Sequence, residues 1–366
     1  MTPSSGSETT AVLLMGYGSP NGANDLPSYL EDVLHGQRPS AEMVAEYVRR
    51  YDRIDGSPQN RILTSLREKL ERRLGRAGPG PRVFLGVKHG HPALRDVIPE
   101  VARAGFRELI AVPLSPYAST WISEPYREGV AEGIGAAATP IEVDVRLDWH
   151  LDPNWIGYWQ RAIRAEPLDP TDAVLLSAHS LPQRMRDRGD PYPEILHETS
   201  DAIARAARLP RWSFTFQSAG NTTESWLGPD ITEVMLDWKR RGSQRQWVAS
   251  FGFVFDHLEV LYDLDVVVRE FAETHGIEYR RVPMPNDAEE VVEALAARVL
   301  LPPSSATPPG GVRPPPAEAP RIPLGAPDTD RGRERARPSG RSPGDLNRRA
   351  TFSPLFSPGD GLHSDP

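Results

Sequence analysis

Short apolar segments rich in β-branched residues alternate with longer amphipathic segments along most of this chain, and this alternation restricts the possible folds most strongly. Continuous apolar strands separated by helices are typical of parallel sheets covered on both faces. Two such sets occur, divided near residue 150. We expect an α/β protein of two Rossmann-like domains, 11–150 and 151–301, each a parallel sheet flanked by helices. The predicted strands are 11–17, 82–89, 108–114, 141–147, 173–179, 213–218, 246–253 and 277–282.

The composition changes abruptly after Leu301. The segment 302–366 contains 15 prolines and 8 glycines in 65 residues. Proline and glycine disfavour both helix and sheet, and little apolar surface is available to offset the entropy of ordering. We expect 302–366 to be a disordered tail and 1–10 to be a disordered N-terminus.

Composition also excludes several classes of function. The chain has no cysteine, which excludes disulfides and cysteine-ligated iron–sulfur clusters. A net charge of −8 argues against nucleic acid as a partner. No apolar run approaches the roughly 18–20 residues of a membrane helix, and the first ten residues do not resemble a signal peptide. We expect a cytoplasmic protein, monomeric and without membrane insertion.

In open α/β sheets, ligands bind beyond the carboxyl ends of the strands. Residues that follow the apolar runs are therefore candidates for a site, and these are Tyr17, His89, Tyr117, His179 and Asp256. The segments VFLGVKH and VLLSAH both end in histidine, which suggests a correspondence between the two halves.

The segment MGYGSPNG follows the first predicted strand but fits neither the Walker A pattern nor GxGxxG. Tyr17 between Gly16 and Gly18 is compatible with a tight strand-to-helix turn. It is equally compatible with an aromatic hydroxyl presented at a pocket.

His179 ends a strand in SAHSLP. A single histidine is more often structural than functional. At a carboxyl strand edge, however, a neutral imidazole could accept a proton or bind a borderline metal ion.

The segment FGFVFDHLEVLYDLD (251–265) places Asp256, Glu259 and Asp263 at i, i+3 and i+7, which predicts three carboxylates on one helix face. A solvated acidic face at a helix N-terminus is one interpretation. An oxygen-rich path for a divalent cation is the other, because close carboxylates need a cation or shared protons.

Together, in this order, these motifs resemble the ferrochelatase family, and most closely its coproporphyrin III branch. The resemblance covers about residues 11–300 and implies two chelatase-type domains. Its motifs are LLMGYGSP (13–20), RRYDRIDGSP (49–58), LGVKH (85–89), LSPYAST (114–120), SAHSLP (177–182), GDPYP (189–193), QSAGNT (217–222), WLGP (226–229) and FVFDHLEVLYDLD (253–265).

The resemblance implies insertion of Fe²⁺ into coproporphyrin III, with His179 and Glu259 as catalytic residues and metal ligands. Asp263 would continue the acidic path outward. Porphyrin contacts are implied for a further set: Tyr17, which would face the iron of the product, and Arg50, Tyr51, Ser57 and Tyr126. No cofactor beyond the substrate Fe²⁺ is implied, and the product could pass to a coprohaem decarboxylase.

Two positions depart from the family pattern. IDGSP is one residue shorter than usual, which affects the contact implied for Ser57, and Val267 replaces a second distal acid. The alternatives are a protoporphyrin IX ferrochelatase, a non-catalytic porphyrin or haem carrier on the same fold, and a cobalt or nickel chelatase. The polar segment HGQRPSAEM (35–43) favours the four-carboxylate porphyrin over protoporphyrin.

Overall fold

A computed structural model describes residues 10–78, 80–220 and 223–302 of the chain. Its strands are β1 (Thr10–Gly16), β2 (Arg82–Val87), β3 (Glu108–Pro113), β4 (Glu142–Val145), β5 (Ala173–His179), β6 (Trp212–Gln217), β7 (Arg245–Ala249) and β8 (Glu278–Arg281). Its α-helices are α1 (Leu26–Val33), α2 (Ala41–Arg53), α3 (Gln59–Leu74), α4 (Leu94–Arg103), α5 (Thr120–Ala136), α6 (Pro153–Ile163), α7 (Arg184–Asp187), α8 (Tyr192–Ala207), α9 (Ile231–Arg240), α10 (Leu258–Tyr262), α11 (Arg269–Thr274) and α12 (Glu289–Leu300). A 3₁₀ turn spans Gly75–Ala77, and a π-helix spans Asp263–Val268.

The strands form two parallel sheets with the same internal order. One sheet runs β2-β1-β3-β4 and the other β6-β5-β7-β8. Each sheet has two inner strands, and of these β1 and β5 are buried almost throughout, because each is paired on both edges and covered on both faces. The predicted α/β fold with two helix-flanked parallel sheets is confirmed.

The order of the strands makes β5 the counterpart of β1, so the expected correspondence between 82–89 and 173–179 is wrong. Strands β1 and β5 both contain AVLL, at 11–14 and 173–176. Aligning these repeats places Tyr17, which directly follows β1, and His179, which ends β5, at equivalent positions. The sequence carried this signal in the AVLL repeat, whereas the shared histidine was misleading.

Helix starts follow from local capping. The side chains of Ser40, Ser119, Asp152 and Asp230 each accept a hydrogen bond from a backbone N–H two or three residues further on. This contact satisfies one of the free donors in the first turn of α2, α5, α6 and α9.

The last helix ties the second half of the chain to the first. The Arg146 guanidinium, just after β4, donates to the carbonyl oxygens of Val299 at 2.6 Å and Leu301 at 2.8 Å. Arg73 of α3 pairs with Glu293 of α12 at 2.6 Å. The strands divide between the sheets, but the domain boundary near residue 150 stays a prediction.

Three further predictions concern the helix after β7, the two termini and membrane insertion. The amphipathic pattern of 258–274 predicts one continuous helix, but the structure interrupts it with the π-helix, whose wider turn does not show in apolar periodicity. The predicted disorder of 1–10 and 302–366 lies outside the described residues apart from Thr10, which begins β1, and Pro302. Across the described ranges, no helix is both long enough and apolar enough to span a membrane.

Candidate active site

A pocket lies at the carboxyl ends of the strands, the edge at which a ligand site was expected. It is lined by residues that end or follow five different strands, among them Tyr17, Lys88, Tyr117, His179 and Phe253. Both sheets therefore contribute to one site.

Tyrosines dominate the wall of the pocket. In the described part of the chain these are Tyr17, Tyr29, Tyr51, Tyr117, Tyr126 and Tyr192. Burial, with a smaller contribution from the Glu259 carboxylate, holds the pKa of the Tyr17 phenol well above its ordinary value. Tyr17 is therefore a neutral phenol in the free protein. A wall of flat rings with protonated hydroxyls suits a large planar aromatic ligand.

The turn after β1 needs glycine for a steric reason. Gly18 has φ +104°, and a Cβ there would lie 1.8 Å from the carbonyl oxygen of His89. The two interpretations of MGYGSP are therefore compatible, since the turn is tight and Tyr17 also lines the pocket.

His179 and Glu259 face each other in this pocket. The Nε2 atom of His179 lies 3.4 Å from Oε2 of Glu259, and the two residues are only 3% and 5% exposed. The other ring nitrogen of His179, Nδ1, donates to the carbonyl of Ser180, which orients Nε2 towards Glu259. Tyr192 donates to the carbonyl of His179 at 3.1 Å and fixes its backbone.

Each member of the pair shifts the pKa of the other towards its charged form. Burial acts to lower the pKa of His179, but the Glu259 carboxylate, together with the Ser180 carbonyl and Asp263, raises the pKa above its ordinary value. Burial likewise acts to raise the pKa of Glu259, but the His179 and His257 imidazoles hold it well below its ordinary range. The Nε2 atom of His257 lies 3.8 Å from Oε2 of Glu259.

Backbone packing sets the approach of the two segments that carry this pair. The N–H of Gly252, in the loop between β7 and α10, donates to the carbonyl of Ser177 at 3.1 Å. A Cβ on Gly252 would lie 2.6 Å from Cα and Cβ of Ala178, the residue before His179. Only glycine permits this approach.

Asp263 is buried one turn beyond Glu259, at the start of the π-helix. Its carboxyl accepts a hydrogen bond from Ser218 Oγ at 2.5 Å. Burial and the Glu259 charge raise the pKa of Asp263 to about 7. Within residues 10–78, 80–220 and 223–302, no three His, Asp or Glu side chains converge closely enough to hold a metal ion. Asp263 therefore does not complete a cluster with His179 and Glu259.

Asp256 is not on the expected helix face, so the prediction of three aligned carboxylates is wrong. The helix begins at Leu258, and Asp256 precedes it. Its carboxylate instead pairs with Arg281 at 3.1 Å and accepts a hydrogen bond from Asn286 at 2.8 Å. A seven-residue spacing does not indicate a shared face when a helix starts inside it.

The residues predicted to contact a porphyrin separate into two groups. Tyr17, Tyr51 and Tyr126 line the pocket, whereas Arg50 and Ser57 are absent from its lining. The Arg50 guanidinium pairs with Glu46 at 2.9 Å and lies over the rings of Tyr47 and Tyr262. Ser57 Oγ accepts from the N–H of Gln59, which does line the pocket. The propionate contacts of Arg50 and Ser57 stay predictions.

Two basic lining residues were not predicted from the sequence, Lys88 and His257. Lys88 directly follows β2 and lies 5.5 Å from the centre of the Tyr17 ring. Its position after an apolar strand was a signal in the sequence, which the neighbouring His89 shares. His89 instead pairs with Asp32 at 3.1 Å.

Comparison with known proteins now adds to this geometry. A sequence model of the ferrochelatase family matches residues 9–301. The coproporphyrin III ferrochelatase of Anoxybacillus flavithermus is 35% identical over 299 residues, which cover 79% of this chain and 95% of the relative. A protein named ferrochelatase from Herpetosiphon aurantiacus is 34% identical over 297 residues, covering 79% and 97%.

Among solved structures, the sirohydrochlorin chelatase SirB from Bacillus subtilis subspecies spizizenii, in complex with cobalt, has a TM-score of 0.51. It is 12% identical and covers 80% of this chain and 94% of that protein, a likeness of fold alone. The family match spans both sheets and the pocket between the strand ends. The chain therefore belongs to the ferrochelatase family.

Proposed function

We propose that this protein inserts Fe²⁺ into coproporphyrin III to give its iron complex. One observation carries the proposal: a buried imidazole and a buried carboxylate oppose each other at 3.4 Å in a pocket walled by tyrosines. A non-catalytic carrier has no need of this pair, whose burial is costly unless it serves the site.

The chemistry requires loss of two pyrrole protons and of water from the metal ion. His179 is the base for one pyrrole proton, solvent water accepts the other, and Glu259 is the oxygen ligand that replaces water on the incoming ion. In the free protein the facing Glu259 carboxylate favours a proton on His179. A divalent cation beside Glu259 repels such a proton into solvent, so arrival of the metal favours the neutral imidazole that can act as base.

Lys88 supports a substrate with several carboxylates. Among the described lining residues it is the one lysine or arginine, and it is half-buried. Burial lowers the pKa of Lys88 to about 8. An ammonium group that has lost part of its hydration gains more from pairing with a propionate than an exposed one does. The name of the Anoxybacillus relative points to the same substrate.

We propose that Fe²⁺ is a substrate and that no resident cofactor takes part. The absence of cysteine supports this for iron–sulfur clusters. The iron complex then leaves for an enzyme that modifies its propionates.

The test is anaerobic incubation of the purified protein with Fe²⁺ and either coproporphyrin III or protoporphyrin IX. We expect the Soret and visible bands of the iron complex to develop faster with coproporphyrin III. Faster metallation of protoporphyrin IX would contradict the proposed substrate. No metallation of either porphyrin, despite quenching of their fluorescence on binding, would favour the carrier.

A further inference from the structure

We propose that Arg281 is a positioning residue for metal insertion, holding the segment that carries Glu259 from outside the pocket. This inference rests on the proposed function of the His179–Glu259 pair. Arg281 is the last residue of β8 and does not line that pocket.

Arg281 contacts the segment that carries Glu259 at two residues, Asp265 and Asp256. Its Nε lies 2.7 and 2.9 Å from the two carboxylate oxygens of Asp265. Its Nη2 lies 3.1 Å from Oδ1 of Asp256. Asp256 comes before α10 and Asp265 is in the π-helix, so the two contacts bracket Glu259 and Asp263 along the chain.

Asn286 also holds Asp256, through two hydrogen bonds. It donates through Nδ2 to Asp256 Oδ2 and accepts through Oδ1 from the Asp256 backbone N–H, both at 2.8 Å. The backbone three residues before Glu259 is therefore fixed as well as the side chain. Side-chain networks of this kind orient the groups that touch a metal.

Charge explains why an arginine is needed. Four carboxylates, Asp256, Glu259, Asp263 and Asp265, lie within ten residues and repel one another. Arg281 pairs with Asp256 and Asp265, whereas Glu259 faces His179 and Asp263 accepts a hydrogen bond from Ser218. A guanidinium meets two carboxylates at fixed angles, whereas a lysine ammonium is a single point of charge.

The test compares Arg281→Met and Arg281→Lys with Arg280→Met. Arg280 is the matched control, because it is the preceding residue on β8, is exposed, and pairs with Glu278. We expect both Arg281 variants to raise the KM for Fe²⁺ by about tenfold or more, in the range typical of residues behind a metal ligand. The KM for coproporphyrin III should stay within about twofold, because the tyrosine wall lies on other elements.

A second readout does not depend on turnover. Calorimetric titration with Co²⁺ alone should show an affinity at least about tenfold weaker in Arg281→Lys than in wild type, with Arg280→Met unchanged. Equal Co²⁺ affinity in wild type and Arg281→Lys, or equal losses in Arg280→Met, would overturn the inference. If wild type inserts no metal but the Co²⁺ difference is found, the proposed function fails while the role of Arg281 stands. Arg281→Lys decides the matter if Arg281→Met does not fold.

Discussion

Tyr17 directly follows β1 and His179 ends β5 at the matching position of the other sheet, and both side chains line the same pocket. Each follows an AVLL segment at the same distance. The two halves of the chain therefore place different side chains, a phenol and an imidazole, at equivalent positions of their sheets. The first half supplies a phenol that burial keeps protonated, and the second supplies an imidazole paired with a carboxylate. The two positions can therefore be tested separately.

Replacing Tyr17 by phenylalanine should change the product complex more than the insertion step. The hydroxyl can ligate ferric iron or donate a hydrogen bond to its axial side, and phenylalanine can do neither. We expect partial turnover with altered absorption and resonance Raman spectra of the ferric coprohaem complex. Tyr158→Phe is the control, since its hydroxyl contacts the Met284 carbonyl away from the pocket. Identical spectra for wild type and Tyr17→Phe would exclude an axial role.

Removing either member of the central pair should stop metallation while porphyrin still binds. We expect His179→Ala and Glu259→Gln to lower kcat by about 100-fold or more, the scale for loss of a proton-transfer group. Asp263→Asn should do less harm. Fluorescence quenching of coproporphyrin III should persist, because the aromatic wall is intact. Near-normal turnover in His179→Ala would refute its role, and Glu270→Gln on the exposed face of α11 should behave as wild type.

Lys88→Met should weaken binding of coproporphyrin III by about fivefold, the equivalent of roughly 1 kcal/mol for one partly exposed ion pair. The pKa of Lys88 is lowered to about 8, so its charge is present below that pH and is lost above it. The wild-type KM for coproporphyrin III should rise as pH passes through 8. The KM of Lys88→Met should be flat over the same interval, and parallel pH profiles would show that Lys88 contributes no charge.

His150 should make stability depend on pH. Its Nδ1 lies 2.5 Å from Asp148 and its Nε2 3.4 Å from Glu198. Burial acts to lower the pKa of His150, but these carboxylates outweigh burial and raise it above its ordinary 6.5. The stabilisation is therefore fully present below pH 6.5 and is lost as pH rises through the higher folded-state value. Urea unfolding of wild type and His150→Gln should differ most near pH 6 and converge towards pH 9, and a constant difference would contradict this.

Two truncations should behave differently. Ending the chain after Leu301 retains the bonds from Arg146 to the carbonyls of Val299 and Leu301, so melting temperature and turnover should be unchanged. Ending it after Ala297 removes both bonds and a third from Arg146 to the Arg298 carbonyl, and we expect a loss of about 3 kcal/mol or more in the free energy of unfolding, at roughly 1–1.5 kcal/mol for each bond to a charged group. A large loss in the longer form would show that the tail contributes to folding.

The fold could be predicted because its signals are local and repeated. Buried parallel strands such as β1 and β5 require uninterrupted apolar residues, and helix starts such as Ser119 are encoded by their own side chains. The correspondence predicted from the shared final histidine was wrong, because one residue identifies a strand less specifically than the four-residue segment AVLL that β1 and β5 share.

The site was predicted in part, for a physical reason. Strand ends point to one edge of a sheet, so His179 and Tyr17 could be placed from sequence. The partners of Asp256 could not be predicted from sequence. Arg281 and Asn286 belong to β8 and the loop that follows, which are distant from Asp256 along the chain. The π-helix was equally hidden, since one extra residue per turn leaves the apolar pattern nearly unchanged.

The contact of Gly252 with Ala178 has a consequence for which ions the site accepts. Because Gly252 has no side chain to separate it from Ala178, the loop that leads to Glu259 is held close against the strand that ends in His179. An ion too large for the resulting spacing would have to displace that loop from a close-packed strand, and not only turn a side chain. Discrimination among divalent ions of similar ligand preference would then reside in the packing of a glycine that touches none of them.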